Sequence, residues 1–131
     1  MAEQRLRTPP AERFARPAHL FDLRRVAEEL RREPTAVRDG HRQKTLYKNG
    51  ESTTALFDFE PGGTIPPHAA AGTVTILAVE GEFDVVHGGR AYRLSPGQLL
   101  VFAPDVPHDV RSPTGGVMLL TVSLANGEGP V

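Results

Sequence analysis

Cysteine is absent from the sequence, and its absence excludes disulfide bonds, thiolate metal ligands and a cysteine nucleophile together. An excess of charge is also missing: the net charge is -1, so no bulk electrostatic argument favours nucleic acid or an anionic membrane as a partner. No apolar run approaches the roughly 20 residues that span a bilayer, and the polar N-terminus lacks the apolar segment of a secretory signal. We therefore expect a cytoplasmic protein without nucleic-acid or membrane partners.

The remaining composition divides the chain into four segments. At 131 residues it has the length of one domain with a real core. Residues 1–19 predict a flexible N-terminal arm, because prolines and arginines occur there with little apolar periodicity. Residues 20–34 predict a helix, residues 43–124 predict a β domain, and residues 125–131 form a C-terminal tail.

The helix prediction depends on capping and periodicity. Asp22 is the predicted N-cap and Pro34 ends the run. One face is apolar at helical spacing, and its members are Leu23, Val26, Ala27 and Leu30. The opposite face interleaves arginine with glutamate, which predicts a solvated surface rather than a nucleic-acid patch.

Glycine and proline punctuate the second half of the chain. The sequence holds 13 glycines and 12 prolines, and after residue 49 they separate short apolar runs every few residues. This pattern predicts about eight or nine short strands with no helix between them, which favours an antiparallel jelly roll or barrel over parallel βαβ units. Asn49-Gly50 predicts a hairpin, which we expect to sit in a slightly longer loop.

Two histidines share the parity of inward-facing residues. His68 has the even parity of Val74 and Ile76, and His108 has that of Phe102, so both are expected to point into the core. His87 abuts Gly88-Gly89 and is expected to be exposed in a hairpin turn. His41 is expected to lie before the first strand.

From "PGGTIPPH" and "VEGEF" through "LSPGQLLVFAPDVPHDV", the sequence resembles the cupin superfamily, in particular small single-domain cupins. The resemblance implies an all-β fold, a double-stranded β-helix or jelly-roll barrel, here with an N-terminal arm and one short α-helix. It covers roughly residues 43–124. The positions of the first family motif carry Gly62, His68, Ala70, Val74 and Gly81. The positions of the second carry Gly97, Ala103, Asp105, His108 and Ser112.

The resemblance also implies a metal site of which this chain keeps half. Metal-binding cupins hold Fe, Mn, Ni, Zn or Cu with three histidines and a glutamate, whereas this sequence retains His68 and His108 and has Ala70 and Val74 at the other two positions. Two imidazoles without a carboxylate would hold a divalent metal weakly. His68 and His108 are therefore the candidate metal ligands of an incomplete site and the candidate catalytic residues.

Three interpretations of this histidine pair stay open. The imidazoles can be relics bonded within the core, groups of a metal-free small-molecule pocket, or ligands of a metal completed by substrate or water. If they are buried, we expect both to be neutral near pH 7, with lowered pKa values.

The leading hypothesis is a metal-poor or metal-free pocket inside the barrel that binds a small molecule. The alternatives are a metal-dependent enzyme of oxygenase or isomerase type, and a structural or interaction protein with a filled barrel, so enzymatic activity is left open. The resemblance further implies a homodimer. The predicted pocket lining is Phe57, Phe59, Ile65, Ala70, Val74, Ile76, Leu100, Phe102, Met118 and Leu120.

Overall fold

The computed structural model describes residues 17–34 and 37–124. The predicted tail and most of the predicted arm lie outside the described residues. One helix, α1, spans Leu23–Arg32. The strands are β1 His41–Asn49, β2 Ser52–Phe59, β3 Gly63–His68, β4 Gly72–Glu80, β5 Phe83–His87, β6 Arg90–Leu94, β7 Leu99–Phe102, β8 His108–Ser112 and β9 Gly116–Leu124. No helix of the described residues is long and apolar enough to cross a membrane.

The strands form two antiparallel sheets whose facing sides enclose one core. The larger sheet has the order β1-β2-β9-β4-β7 and the smaller one β3-β8-β5-β6. Every strand pair is antiparallel, and no helix interrupts the described strands. The predicted all-β jelly roll with one short helix is therefore confirmed.

Two local predictions about the first hairpin are wrong. Asn49 pairs directly with Ser52, so the connecting loop is only Gly50-Glu51, and Gly50 provides the left-handed backbone (φ 54°) that this tight turn requires. His41 is not before the first strand but is its first residue, paired with Phe59. An Asp39-Gly40 turn with positive φ angles of 51° and 75° starts the strand earlier than the apolar pattern indicates.

The two ends of the barrel differ in how tightly they are filled. At the closed end, the inward side chains are almost fully buried, and they are Phe59, Ala78, Phe83, Leu94 and Met118. At the open end, where β3, β5 and β9 finish and β4, β6 and β8 begin, several inward residues are only half-buried, including Ile65, His87, Tyr92 and Val122. The strand register thus gives the barrel one packed end and one accessible end.

Helix α1 covers the outer face of the larger sheet. Asp22 caps it by accepting a hydrogen bond from the backbone N–H of Arg25 (3.2 Å). It ends at Arg32, because Glu33 precedes a proline and adopts an extended conformation. Of its apolar face, Ala27 and Leu30 are buried. A second apolar cluster joins the helix to the sheet and includes Ala27, Leu46, Leu56 and Val117.

The sequence predicts that the arginines of the helix are solvated, but Arg31 is an exception. Arg31 Nε donates a hydrogen bond of 2.8 Å to Asp58, whose side chain is only 6% exposed, and Arg31 Nη2 contacts Glu80 at 3.4 Å. Burial raises the pKa of the Asp58 carboxyl, against the opposing effect of Arg31. Asp58 points outward on β2 between Phe57 and Phe59, so the helix supplies the partner that this buried carboxylate requires.

We expect Arg31→Gln to lower the free energy of unfolding by about 1–3 kcal/mol, because it removes the charged hydrogen-bond partner of a buried carboxylate. Arg32→Gln is the matched control: it removes an exposed arginine from the same helix turn and should change the free energy by less than about 0.5 kcal/mol. Urea denaturation of both variants measures the difference. Equal losses would show that the Arg31–Asp58 contact does not fasten the helix.

Candidate functional site

The strand register brings His68 and His108 together at the open end. They are direct partners in the β3–β8 ladder, and their ring centroids are 4.5 Å apart with an interplanar angle of 56°. Residues directly opposite each other in an antiparallel pair present their side chains on the same face. The predicted convergence of two imidazoles from separate strands is thus present in the structure.

A short local motif, X-Pro-His, fixes the orientation of both imidazole rings. His68 follows Pro66-Pro67 and His108 follows Val106-Pro107. In each case imidazole Nδ1 lies within hydrogen-bond distance of the carbonyl oxygen two residues earlier, 3.1 Å from Pro66 and 3.0 Å from Val106. A carbonyl oxygen only accepts, so Nδ1 carries the hydrogen and Nε2 of the neutral ring has a free lone pair.

The prolines also explain how His68 reaches this face. The β3–β8 register shifts between Ile65 and His68, because proline has no N–H to continue the ladder. The shift lets Ile65 and His68, three residues apart, both lie opposite inward residues of β8. The predicted parity between His68 and Val74 is therefore not what orients the ring.

The two histidines differ in burial, which corrects part of the prediction. His108 is 2% exposed, whereas His68 is exposed at the rim. Burial lowers the pKa of His108, and the nearby rings of His68 and His87 add to that effect, against the hydrogen bond from Nδ1 to Val106 and the charge of Asp109. The neutral buried imidazole expected from the sequence therefore applies to His108.

The Nε2 atom of His108 is buried and has no hydrogen-bond partner among the residues that the structure describes. Phe102 stacks on the same ring at 4.6 Å with an interplanar angle of 16°. Native proteins pair nearly all of their buried polar atoms, so an unpaired one calls for an explanation. The unpaired atom of His108 is an acceptor, because the hydrogen bond of Nδ1 to Val106 fixes the ring with the lone pair on Nε2.

His87 is not the exposed turn histidine that the sequence predicts. It is partly buried, its Nδ1 lies 2.8 Å from the carbonyl oxygen of Pro107, and its ring meets Phe102 edge-on at 5.8 Å. It ends β5 after Phe83 and Val85, which alternate inward, and that alternation is the signal that could have identified it. Tyr92 meets Phe102 edge-on from β6, so an aromatic cluster adjoins the His108 ring through Phe102.

All ten residues of the predicted pocket lining belong to one apolar cluster. Six are buried, namely Phe57, Phe59, Val74, Ile76, Phe102 and Met118. Four are partly buried, namely Ile65, Ala70, Leu100 and Leu120. An open cavity of about 290 Å³ lies between the edge strands β6 and β7 and is lined in part by Tyr92; of the predicted lining it includes only Leu100.

The donor set does not fit a metal ion held by the protein. Within residues 17–34 and 37–124, no group of three or more histidine, cysteine, aspartate or glutamate side chains is arranged to hold one. Ala70 and Val74 pack against the apolar core. His68 and His108 supply two Nε2 lone pairs, and among the described residues His87 does not complete a group of three with them, so the ligands are fewer than the three or four of a stable site.

Comparison with known proteins gives one family and many similar folds. A family model described as a cupin domain matches residues 55–123. An RmlC-like cupin from Shewanella frigidimarina is 29% identical, with a TM-score of 0.64 over 71% of this chain and 84% of that chain. An RmlC-like cupin from Desulfovibrio desulfuricans is 26% identical, with a TM-score of 0.59 over 70% of this chain and 92% of that chain.

A more distant neighbour shows the fold alone. Salicylate 1,2-dioxygenase from Pseudoaminobacter salicylatoxidans, solved with gentisate, is 18% identical, with a TM-score of 0.64 over 76% of this chain and 31% of that chain. A search of curated proteins returns no match.

The lowered pKa of His108 predicts a defined loss of stability in mild acid. The unfolded chain takes up a proton near pH 6.5, and the folded protein does so only at lower pH, so the free energy of unfolding should fall as pH drops below about 6.5. Urea denaturation from pH 8 to 5 measures this fall, and His108→Gln should make it smaller. An NMR titration that places the pKa of His108 above 6.5 would contradict the prediction.

Proposed function

This chain belongs to the cupin domain family, and from that premise we propose that it binds a small molecule at the open end of its barrel, where Nε2 of His108 accepts a hydrogen bond from the ligand. The observation that carries the proposal is the buried, unpaired Nε2. Leaving such an atom unpaired costs about 1–3 kcal/mol. A ligand donor that reaches it recovers that free energy on binding.

The surroundings of His108 have the composition of a ligand site. Small-molecule pockets combine apolar walls with a few convergent polar groups. At the open end, Phe102 and Tyr92 provide aromatic walls, while His68 and His87 add imidazoles beside His108. Partly buried Ile65 and Leu120 extend the apolar wall.

A metal-dependent enzyme that uses His68 and His108 is the second candidate. Two neighbouring imidazoles with uncommitted Nε2 atoms favour it. Because the described residues supply no third ligand, we rank it behind the metal-free pocket, and we derive no reaction step through a metal.

We expect His108→Leu to abolish stabilisation by ligand while leaving the protein folded. Thermal unfolding is measured across a panel of metabolites, where a true ligand at one hundred times its dissociation constant adds about 2.7 kcal/mol. Ser112→Ala is the matched control, because the Ser112 hydroxyl is also buried and unpaired among the described residues but lies at the closed end. It should retain the ligand response.

The same experiment separates the alternatives. Stoichiometric metal in tag-free protein, lost in His68→Ala, would replace the proposal with the metal-dependent candidate. A panel without hits, or equal responses in both variants, would favour the filled structural barrel.

A further inference from the structure

We propose that the recognised part of the ligand is a neutral group with two hydrogen-bond donors, such as a primary amide or a vicinal diol, and that a carboxylate is rejected at this point. The inference rests on the proposed function and deepens it. Its basis is the hydrogen-bonding state of the histidine pair: in both rings Nδ1–H donates to a backbone carbonyl, so Nε2 of both rings is an acceptor.

The polarity follows from the two X-Pro-His segments. Nδ1 of His68 and Nδ1 of His108 each lie near a backbone carbonyl, at 3.1 and 3.0 Å, and neither carbonyl can donate. His87 repeats the arrangement, with Nδ1 at 2.8 Å from the carbonyl of Pro107. Three imidazoles at the open end therefore offer Nε2 lone pairs in their neutral forms.

The spacing suits a ligand that donates twice. The His68 and His108 rings are cross-strand neighbours with centroids 4.5 Å apart, so a group with two N–H or O–H donors can address both acceptors. A carboxylate has acceptors only, so it would face lone pairs and leave the buried Nε2 of His108 unpaired. The cost of an unpaired buried polar atom is what makes such sites selective.

The charged residues near the open end are of both signs. The guanidinium carbon of Arg90 lies 4.9 Å from the centroid of the Tyr92 ring, and Tyr92 packs edge-on against Phe102. Asp109 directly follows His108 on β8, so an amide or a diol, which donates hydrogen bonds without adding charge, needs no charged partner among these groups.

The tautomer is the first test, and it needs no ligand. A long-range ¹H–¹⁵N correlation spectrum of the free protein at about pH 8, assigned with His68→Gln and His108→Gln, should show the hydrogen on Nδ1 of both rings. A hydrogen on Nε2 of His108 would overturn the inference.

Matched probes form the second test. Benzamide should shift the ring signals of His68 and His108 and bind at least about tenfold more tightly than N,N-dimethylbenzamide or benzoate, which lack the paired donors. In the same way, cis-cyclohexane-1,2-diol should bind more tightly than its dimethyl ether.

A variant that introduces a positive charge at the site sharpens the result. His68 is exposed at the rim, so His68→Lys should be tolerated, and it replaces an acceptor with a cationic donor and should shift preference toward benzoate. Thr114→Lys adds the same charge beyond the closed end and should leave the preference unchanged. Equal or tighter binding of benzoate by the unmodified protein would overturn the donor rule while the pocket stands. Failure of every probe and every panel compound to shift either ring would overturn the pocket itself.

Discussion

The register of β3 against β8 is the constraint on which the site depends. It places His68 directly opposite His108, and it exists because two prolines interrupt the ladder before His68. A one-residue slip would move the side chains of β3 to the opposite face. β3 is also an edge strand, where proline is tolerated because one row of N–H groups has no ladder partner. The same residues that weaken the strand therefore determine where its imidazole lies.

The register brings the two rings together but does not determine whether each Nε2 is a hydrogen-bond donor or an acceptor. The backbone carbonyls bonded to Nδ1 determine that. Each X-Pro-His segment uses the carbonyl before its proline to hold Nδ1. The residue before a proline is restricted to extended conformations, which gives this carbonyl a defined direction. Imidazole could otherwise present a donor or an acceptor. Two local contacts thus make Nε2 of His68 and of His108 hydrogen-bond acceptors. The contact of His87 Nδ1 with the carbonyl of Pro107 has the same effect on His87.

Much of the fold was predictable because turns have strict conformational needs. Gly62, Gly81 and Gly97, at motif positions of the resemblance, adopt positive φ angles of 83°, 74° and 90°, so their spacing follows from the turns themselves. The exposure of His68 at the rim was not predictable, since the register shift at the prolines breaks the alternation that predicts an inward position. For His87, the neighbouring Gly88-Gly89 turn predicts exposure, whereas the inward alternation of β5 places its ring against the barrel interior. Pairwise strand register, which no single segment encodes, accounts for the error at His68 but not for the one at His87.

The two faces of β2 show why the site can be selective at little cost to the fold. Its inward residues Phe57 and Phe59 fill the barrel, while outward Leu56 and Asp58 hold α1. The helix is thus fastened by contacts that never reach the open end. Stability from the closed end and from the helix can then offset the cost of an unpaired Nε2 at His108. The unpaired buried acceptor costs free energy in the free protein. A ligand that donates a hydrogen bond to it recovers that free energy on binding, and a ligand without a donor cannot.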